Sequence, residues 1–368
     1  MKIGIVTFHR AHNCGAALQC AALVKVLRRL GHDVKAVDCN DVGESHRFYL
    51  GNVSTLRAFI GWLVHFIFSI GVADSYFWHY RRFRRKFMPY TMKFAGVHEA
   101  TYIDRFIVGS DQVFNPEITR NMTGEFLLEH IADASRKCTY AASFGSATLP
   151  MEYRKRFAKA LDGFSHLSFR ETSANVICRS ELGLKKEVVT VLDPTLLLEA
   201  EDYVEMEYPS KIKGRFIVVY WAGHCGEEAR KVAGEMAIRH SLEVVFIIQN
   251  RLSLFRKGKG EWIAMSPDRF LWLMRNAEYI ISTSFHGTAF SIINRKPFIV
   301  LRPVGYNLNE RIVDLLERLG IPEQVVYDNA VPEGDELEAR FNVDYFNVES
   351  RLDVLRKESM DYLKMIVS

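Results

Sequence analysis

The chain lacks the short motifs that mark three common groups of α/β enzymes. It contains no GxGxxG, no GxxxxGK[ST] and no GxSxG, which argues against a dinucleotide enzyme, a P-loop NTPase and an α/β-hydrolase. It also lacks repeats and the compositional bias of disordered chains, since 48% of its residues are hydrophobic and 25% are charged. We therefore expect a globular protein of another class.

Paired cysteines and clustered positive charge are missing as well. The six cysteines form no CxxC pair and no Cys/His spacing suited to zinc, so we expect reduced thiols and no metal. The net charge of +4 is small for 368 residues, and lysine and arginine are scattered along the chain. This distribution argues against nucleic acid as a partner. No feature of the sequence indicates an oligomeric state.

Signals for export and for crossing a membrane are also absent. The first residues, "MKIGIVT", resemble a strand and lack the basic and apolar regions of a signal peptide, which predicts a cytoplasmic protein. One apolar run, residues 58–73, is shorter than the roughly 20 residues needed to span a bilayer. A buried helix is the first interpretation. The second is peripheral contact of residues 58–87 with the inner face of the membrane, with the basic stretch 78–87 facing anionic lipid.

The length and the alternation of strand-like and helical segments predict two domains of α/β class. Strands are expected at Lys2–Phe8, Asp33–Asp38, Ile103–Val108, Thr139–Phe144, Leu167–Arg170, Phe216–Trp221, Glu243–Ile248, Tyr279–Thr283 and Phe298–Leu301. The prolines and acidic residues of 193–213 suggest a junction, so we predict domains over 1–200 and 201–345 and a C-terminal helix over 346–368. Whether that helix packs on the first domain is left open.

The predicted fold is a pair of Rossmann-like domains facing each other across a cleft. In the opening βαβ unit, a helix over 16–30 follows the first strand and Gly31 ends it. In such sheets ligands bind outside the carboxyl ends of the strands. We therefore expect the reactive side chains at the strand ends.

The polar end of the strand at 279–283 is the first candidate site. It continues as "STSFHGT" into a helix, a geometry that suits a phosphate or carboxylate at the helix start. His286 there can move a proton, and Ser284, Gly287 and Thr288 are candidate anion contacts. The alternative is that Thr283 or Ser284 only caps the helix and that His286 is an ordinary turn residue.

Two further strands end in charged residues. In "FIVGSDQVFNP", Ser110 and Asp111 follow an apolar strand. Ser110 is a possible substrate contact, and Asp111 is a candidate base or contact for a substrate hydroxyl. Asp111 as a simple cap is the alternative. In "HLSFRETSA", Arg170 is a candidate clamp for an anion. Its alternative is a surface ion pair, for example with Glu171.

The loop after the first strand, "TFHRAHNCGAALQ", gathers polar residues at a helix start. Possible substrate contacts there are His9, Arg10, His12, Asn13 and Gly15. Two histidines without a carboxylate argue against a metal site. Asn13 as an N-cap is the alternative interpretation.

These segments, with "YAASFG" and "VLDPTLLL", occur in an order and spacing over residues 1 to 300 that resembles the polysaccharide pyruvyl transferase family. The resemblance implies phosphoenolpyruvate as the donor substrate, no separate cofactor, and a sugar of a surface polysaccharide or its lipid-linked precursor as the acceptor. It also implies a cyclic ketal as the product.

The resemblance suggests His286 as general acid/base, Arg170 as donor-anion clamp and Asp111 as acceptor contact or base. The chain departs from the family's Arg-x-His-Gly motif, because Ser284 stands where the arginine is expected. Arg302 or Arg10 is a candidate replacement. Two rivals remain: a glycosyltransferase that uses a nucleotide sugar, and a non-catalytic protein that binds a sugar or an anion.

Overall fold

The structure is a computed structural model, and it describes residues 1–38, 78–90, 102–220, 226–248, 261–264, 266–304 and 310–368. The chain divides into two compact units: the first comprises Met1–Phe144, Thr148–Pro194 and Tyr362–Ser368, and the second comprises Gly145–Ala147 and Thr195–Asp361. The apolar run 58–73 lies outside the described residues. Within the described ranges, no helix has the length and hydrophobicity needed to cross a membrane.

The first unit is built on short parallel strands. They are β1 Lys2–Val6, β2 Asp33–Ala36, β3 Arg105–Val108, β4 Lys137–Thr139, β5 Leu167–Phe169 and β6 Val188–Thr190. One sheet has the order β2-β1-β3-β4, and β5 pairs with β6. Backbone hydrogen bonds from Thr139 N to His166 O (3.1 Å) and from Ala142 N to Ser168 O (3.2 Å) join the two. The strand order reverses between β1 and β3, which makes the edge beyond their carboxyl ends the expected ligand site.

The longer helices of the first unit are α1 Cys14–Arg29, α2 over residues 78–87 and α3 Met151–Asp162. Single helical turns cover Pro116–Thr119, Thr123–Phe126 and Ser173–Val176. Helix α1 is buried along most of its length, and Gly31, with φ +87°, follows its end as predicted.

The second unit contains β7 Phe216–Tyr220, β8 Glu243–Ile248, β9 Glu261–Ala264, β10 Tyr279–Ser282, β11 Phe298–Arg302 and β12 Val325–Tyr327. They form one parallel sheet in the order β12-β11-β10-β7-β8-β9. Its helices are α4 Gly226–His240, α5 Pro267–Asn276, α6 Phe285–Ile293, α7 Glu310–Leu319, α8 Gly334–Phe341 and α9 Tyr345–Ile366. Helix α9 ends in residues that belong to the first unit.

The strand order of the second unit is that of the dinucleotide-binding Rossmann fold, with its reversal between β7 and β10. The predicted α/β class with two Rossmann-like domains is therefore confirmed. The prediction for Thr139–Phe144 was wrong in its bounds, because β4 spans Lys137–Thr139 and the positive φ of Ala141 (50°) interrupts the strand. The short strands β6, β9 and β12 were missed.

Aromatic side chains form the core beneath the strand ends of the first unit. The Phe114 ring lies 5.8 Å from that of Phe144 and 6.0 Å from that of Phe169, and the last two rings are stacked at 5.1 Å. All three side chains are buried. Since Phe114 follows Asp111 and Phe169 precedes Arg170 in the chain, this core fixes the backbone on which both charged residues are carried.

The described cysteines Cys14, Cys20, Cys138 and Cys178 are free thiols and buried. Burial raises the pKa of Cys20 and that of Cys138 to about 12 each. These two thiols are therefore packing groups rather than nucleophiles.

Candidate functional site

The loop after β3 is held by a closed ring of buried hydrogen bonds. Gln19, on α1, accepts a bond from Ser110 N through Oε1 (3.1 Å) and donates through Nε2 to Thr7 Oγ1 (2.8 Å). Thr7 Oγ1 in turn donates to Ser110 O (2.8 Å). The Ser110 backbone is thus fixed by both its N–H and its carbonyl, at the point where the strand order reverses.

The backbone on either side of Ser110 has an unusual conformation. Gly109 has φ +118°, and a Cβ added there would lie 2.2 Å from Tyr140 O, so only glycine fits. Asp111 has φ 85°, a value that is uncommon outside glycine. Such conformations persist where the surroundings fix them, and they are found disproportionately at active sites.

Arg170 and two aspartates form a buried charged cluster behind this loop. The guanidinium donates through NH1 to Asp193 Oδ2 and through NH2 to Asp111 Oδ1, each at 3.1 Å. Ser110 Oγ donates to the same Asp193 oxygen at 2.8 Å. The side chains of Arg170 and Asp193 are fully buried, whereas that of Asp111 is 16% exposed. Asp111 is therefore the member of the cluster that reaches the surface of the unit.

The charge of Arg170 is stabilised by its neighbours. Burial lowers the pKa of Arg170, but the nearby charges of Asp111 and Asp193 outweigh this effect, and the pKa is raised. The Glu171 carboxylate lies 3.9 Å from Arg170 Nε, and Glu171 also accepts a bond from Phe144 N at 3.1 Å. In this arrangement the guanidinium is committed to carboxylates. The alternative of a surface ion pair is therefore wrong, and the contact with a donor anion stays a prediction.

Asp111 does not act as the cap that the alternative interpretation proposed. Its Oδ1 accepts bonds from Arg170 and from Gln112 N (2.8 Å). The following helical turn is capped by Asn115, whose side chain accepts from Glu117 N.

A carboxylate that follows β2 lies beside the loop after β1 and was not predicted from the sequence. Asp38, fully buried, pairs with Arg10 and lies 3.5 Å from His9 Nε2. His9 Nδ1 donates to Thr7 O at 3.2 Å. Burial raises the pKa of Asp38, but the hydrogen bond with His9 and the charge of Arg10 outweigh it and lower the pKa. The premise that no carboxylate accompanies these histidines was wrong, because β2 ends beside β1 and brings Asp38 to the same edge.

The rest of that loop has mainly structural contacts. The Asn13 side chain accepts a bond from Ala16 N (3.2 Å), so the N-cap interpretation describes it correctly. Gly15 is buried inside the first turn of α1. The His12 ring packs edge-on against Tyr80, with centroids 5.1 Å apart.

In the second unit, β10 leads directly into α6 at the other reversal of strand order. Ser284 occupies the N-cap position, but its hydroxyl makes no capping bond. Instead Ser282 Oγ accepts a bond from Ser284 N (3.0 Å) and donates to Ser284 O (3.2 Å). The alternative in which Ser284 only caps the helix is therefore not what the structure shows.

Gly287 and Thr288, two expected anion contacts, serve packing in this structure. A Cβ on Gly287 would lie 2.0 Å from Ser282 Oγ and 2.7 Å from Tyr220 Cδ1. Thr288 is buried and its hydroxyl donates to Ser284 O at 3.1 Å. The close approach of α6 to the sheet thus requires a glycine at position 287, and the anion contacts of both residues stay predictions.

His286 lies in the first turn of α6 and is 8% exposed. The N–H groups of a helix's first turn lack intrahelical partners and carry the positive end of its dipole. Arg302 ends β11, the neighbour of β10, so it lies at the same edge of the sheet. Among the described residues of this edge, His286, Ser284 and Arg302 have chemistry suited to an anion.

The structure joins Ser110, Asp111 and Arg170 in one cluster, and it places His286, Ser284, Gly287 and Thr288 together in the other unit. Sequence reasoning missed Gln19 and Asp193. Asp193 lies in "VLDPT" just beyond β6, so its position after a strand could have indicated it as another carboxylate at the ligand edge. No pattern in the sequence indicated a role for Gln19, because it lies within the largely apolar α1. Among the described residues, no group of three or more His, Cys, Asp or Glu is placed to hold a metal ion.

The sequence was compared with models of known protein families. The sequence model of the family described as polysaccharide pyruvyl transferase matches residues 13–303. The chain belongs to the polysaccharide pyruvyl transferase family. Of the residues above, the match includes Gln19, Asp111, Arg170, Asp193 and His286 and begins after His9 and Arg10. No curated protein sequence matches the chain.

Several solved structures resemble this family member over nearly their whole length. The glycosyltransferase SnogD of Streptomyces nogalater is 15% identical, with 98% of this chain and 95% of that chain covered and a TM-score of 0.44. The UDP-GlcNAc 2-epimerase of Methanocaldococcus jannaschii is 12% identical, with 97% and 93% covered and a TM-score of 0.49. That of Neisseria meningitidis is 12% identical, with 98% and 99% covered and a TM-score of 0.49. Similarity at this level says nothing about the reaction.

Proposed function

We propose that this protein transfers a pyruvyl group from phosphoenolpyruvate to two hydroxyls of a sugar in a surface polysaccharide or its lipid-linked precursor. Membership of the family supports the reaction class. The observation that carries the proposal is the partly exposed Asp111 carboxylate, backed by a fully buried guanidinium at the strand-order reversal of the first unit.

The reaction sets clear demands on the residues. The methylene carbon of the donor takes up a proton and becomes a methyl group, and the first hydroxyl oxygen bonds to the donor's central carbon. The second hydroxyl oxygen then replaces phosphate at that carbon, which closes the ketal. The two hydroxyls release two protons. One proton is taken up at the methylene carbon, and the other leaves with the phosphate or passes to the solvent. A base, an acid and an anion site are therefore required.

Asp111 fits the role of base for the acceptor hydroxyl. Its Oδ1 is occupied by Arg170 and by Gln112 N, so we assign the hydroxyl contact to Oδ2. Arg170 then acts as a positioning residue, because its contacts run to Asp111 and Asp193 and its side chain is fully buried. A carboxylate fixed in this way needs little reorganisation when the proton is transferred.

The edge formed by β10 and β11 fits the donor. His286 is our candidate for the acid that protonates the methylene carbon. The first turn of α6, the Ser284 hydroxyl and Arg302 supply partial and full positive charge for carboxylate and phosphate. Arg302 replaces the arginine that the family motif carries two residues before the histidine.

Ligand protection against thermal unfolding tests the donor assignment. We expect phosphoenolpyruvate to raise the unfolding temperature, since saturation at a hundredfold excess over Kd stabilises a protein by about 2.7 kcal/mol. Arg302→Gln should weaken phosphoenolpyruvate binding by roughly tenfold to a hundredfold, the worth of a charged hydrogen bond. Arg295→Gln is the matched control, because Arg295 is 68% exposed and faces Glu349.

The rivals predict other results. Protection by UDP- or GDP-sugars but not by phosphoenolpyruvate would contradict the pyruvyl assignment and favour a glycosyltransferase. Protection by phosphoenolpyruvate without phosphate release, when the protein is incubated with a panel of p-nitrophenyl hexosides and with lipid-linked oligosaccharides, would favour a binding protein.

A further inference from the structure

Helix α2, residues 78–87, is anchored to the first unit by one face. His79, Tyr80 and Phe83 are buried, the last two with at most 1% exposure. Tyr80 Oη lies 3.3 Å from Cys14 Sγ, within hydrogen-bond distance, and Arg84 donates to Arg10 O at 3.0 Å. The helix is therefore a fixed part of the unit, packed on the loop that follows β1.

The opposite face of α2 carries only positive charge and one large aromatic ring. Its exposed residues are Trp78, Arg81, Arg82, Arg85 and Lys86. Their spacing of three, four, seven and eight residues places them along one stripe of the helix. Trp78 is 54% exposed, and the Arg82 guanidinium lies over its ring at 5.4 Å. The stretch "WHYRRFRRKF" contains no acidic residue.

This stripe is an exception to the scattered charge of the chain. Like charges on one face of a helix repel each other, so the stripe is stabilised when an anionic surface lies against it. The four cations and Trp78 line one open cavity of about 570 Å³, which is much larger than a single phosphate group. An exposed tryptophan beside several cations is the composition that binds at the interface of an anionic bilayer.

We propose that α2 docks the protein on an anionic lipid surface, with Arg81, Arg82, Arg85 and Lys86 against the headgroups and Trp78 at the level of the headgroup boundary. The proposal concerns attachment and holds for any reaction of the protein. Because Arg84 on the anchored face holds the backbone of Arg10, attachment would also keep the loop after β1 near the membrane surface. A lipid-linked acceptor would be found at that surface.

Vesicle flotation with the full-length protein tests the docking. We expect binding to phosphatidylcholine vesicles that contain about one-third phosphatidylglycerol, and little binding to phosphatidylcholine alone. Each basic residue near such a surface contributes about fivefold in affinity, so replacing all four by glutamine should lower partitioning by roughly 600-fold. Raising the NaCl concentration from about 0.1 M to about 1 M should release the wild-type protein.

A second quadruple variant controls for net charge. Lys155, Arg179, Lys185 and Lys211 are exposed cations at other positions, and changing them to glutamine removes the same charge without touching α2. We expect this variant to bind like the wild type. Trp78→Phe should remove the blue shift of tryptophan fluorescence that accompanies vesicle binding. Circular dichroism and the unfolding temperature verify that each variant is folded.

Three results would overturn the proposal. Equal binding to charged and neutral vesicles would exclude an electrostatic docking face. Equal loss of binding in the two quadruple variants would show that total charge matters and α2 does not. Release by millimolar inorganic phosphate at constant ionic strength would indicate a site for one phosphate instead of a lipid surface. None of these results depends on turnover, so the docking and the pyruvyl transfer can fail separately.

Discussion

Arg170 follows β5 directly, and its guanidinium contacts two carboxylates that the sequence did not pair with it. Its place after a strand predicts a side chain at the ligand edge. In the structure that side chain is fully buried between Asp111 and Asp193. A guanidinium has five donors in a fixed plane, which suits it to hold two carboxylates at once. Its effect on chemistry would then pass through Asp111.

This arrangement predicts a particular kinetic result for Arg170→Lys. An ammonium keeps the charge but cannot reproduce both planar contacts, so Asp111 should lose its orientation. We expect kcat to fall by about tenfold to a hundredfold while the Kd for phosphoenolpyruvate stays unchanged. Asp111→Asn should give the same pattern with a larger fall, about a hundredfold or more, because it removes the base.

Steady-state kinetics and calorimetric titration with phosphoenolpyruvate separate the two effects. Asp162→Asn, an exposed carboxylate at the end of α3, is the control and should leave both constants unchanged. A higher Kd for phosphoenolpyruvate in Arg170→Lys, with kcat maintained, would restore the role of Arg170 as a direct clamp.

At the scale of secondary structure, the contact between α6 and the sheet fixes the position of His286. Gly287 allows α6 to approach Ser282 and Tyr220 more closely than a side chain would permit. His286 precedes this glycine directly, so a displacement of the helix displaces the imidazole as well. Packing therefore requires the glycine in "FHG", and its contact with an anion stays a prediction.

Gly287→Ala should destabilise the protein and move the helix. Its Cβ would lie 2.7 Å from Tyr220 Cδ1, and overpacking of this kind costs about 1–3 kcal/mol. Gly234→Ala, in the interior of α4 with nothing within 4 Å of the added Cβ, should instead stabilise by about 0.5–1 kcal/mol. Denaturant unfolding of the two variants measures the difference, and equal effects would show that the close approach of α6 is not required.

At the scale of the whole chain, helix α9 contributes to both compact units. Near its start, Tyr345 donates to Lys296 O at 2.6 Å, and Arg356 donates to Leu196 O at 2.7 Å, all within the second unit. At its end Tyr362 donates to Thr139 O at 3.1 Å, and Leu363 and Ile366 are fully buried. These last residues belong to the first unit.

The end of α9 should therefore stabilise the first unit. Leu363→Ala removes a fully buried side chain and should cost about 2–5 kcal/mol. Met365→Ala, at a side chain that is 46% exposed, should change stability by about 0.5 kcal/mol or less. Native-state hydrogen exchange should show faster opening of β3 and β4 in Leu363→Ala. Unchanged protection of these strands would contradict a stabilising role for the helix end.

The sequence predicted where most of the strands lie. Most predicted strands were found within one or two residues, since apolar runs between turn residues give a clear signal. The strand at 139–144 was misplaced because the backbone of Ala141 has a positive φ. An alanine in the sequence gives no indication of such a conformation. Strands β6, β9 and β12, which have three or four residues, were not predicted.

By itself the sequence determined the α/β class, the two Rossmann-like domains and the family, because these follow from the alternation of apolar runs and from motifs read along the chain. Only the tertiary structure decided which side chains meet. It brought Asp193 and Gln19 to Ser110, paired Asp38 with Arg10 and placed Arg170 among carboxylates. Such contacts join residues far apart in the chain, and the register and strand order that create them depend on the packing of the whole sheet.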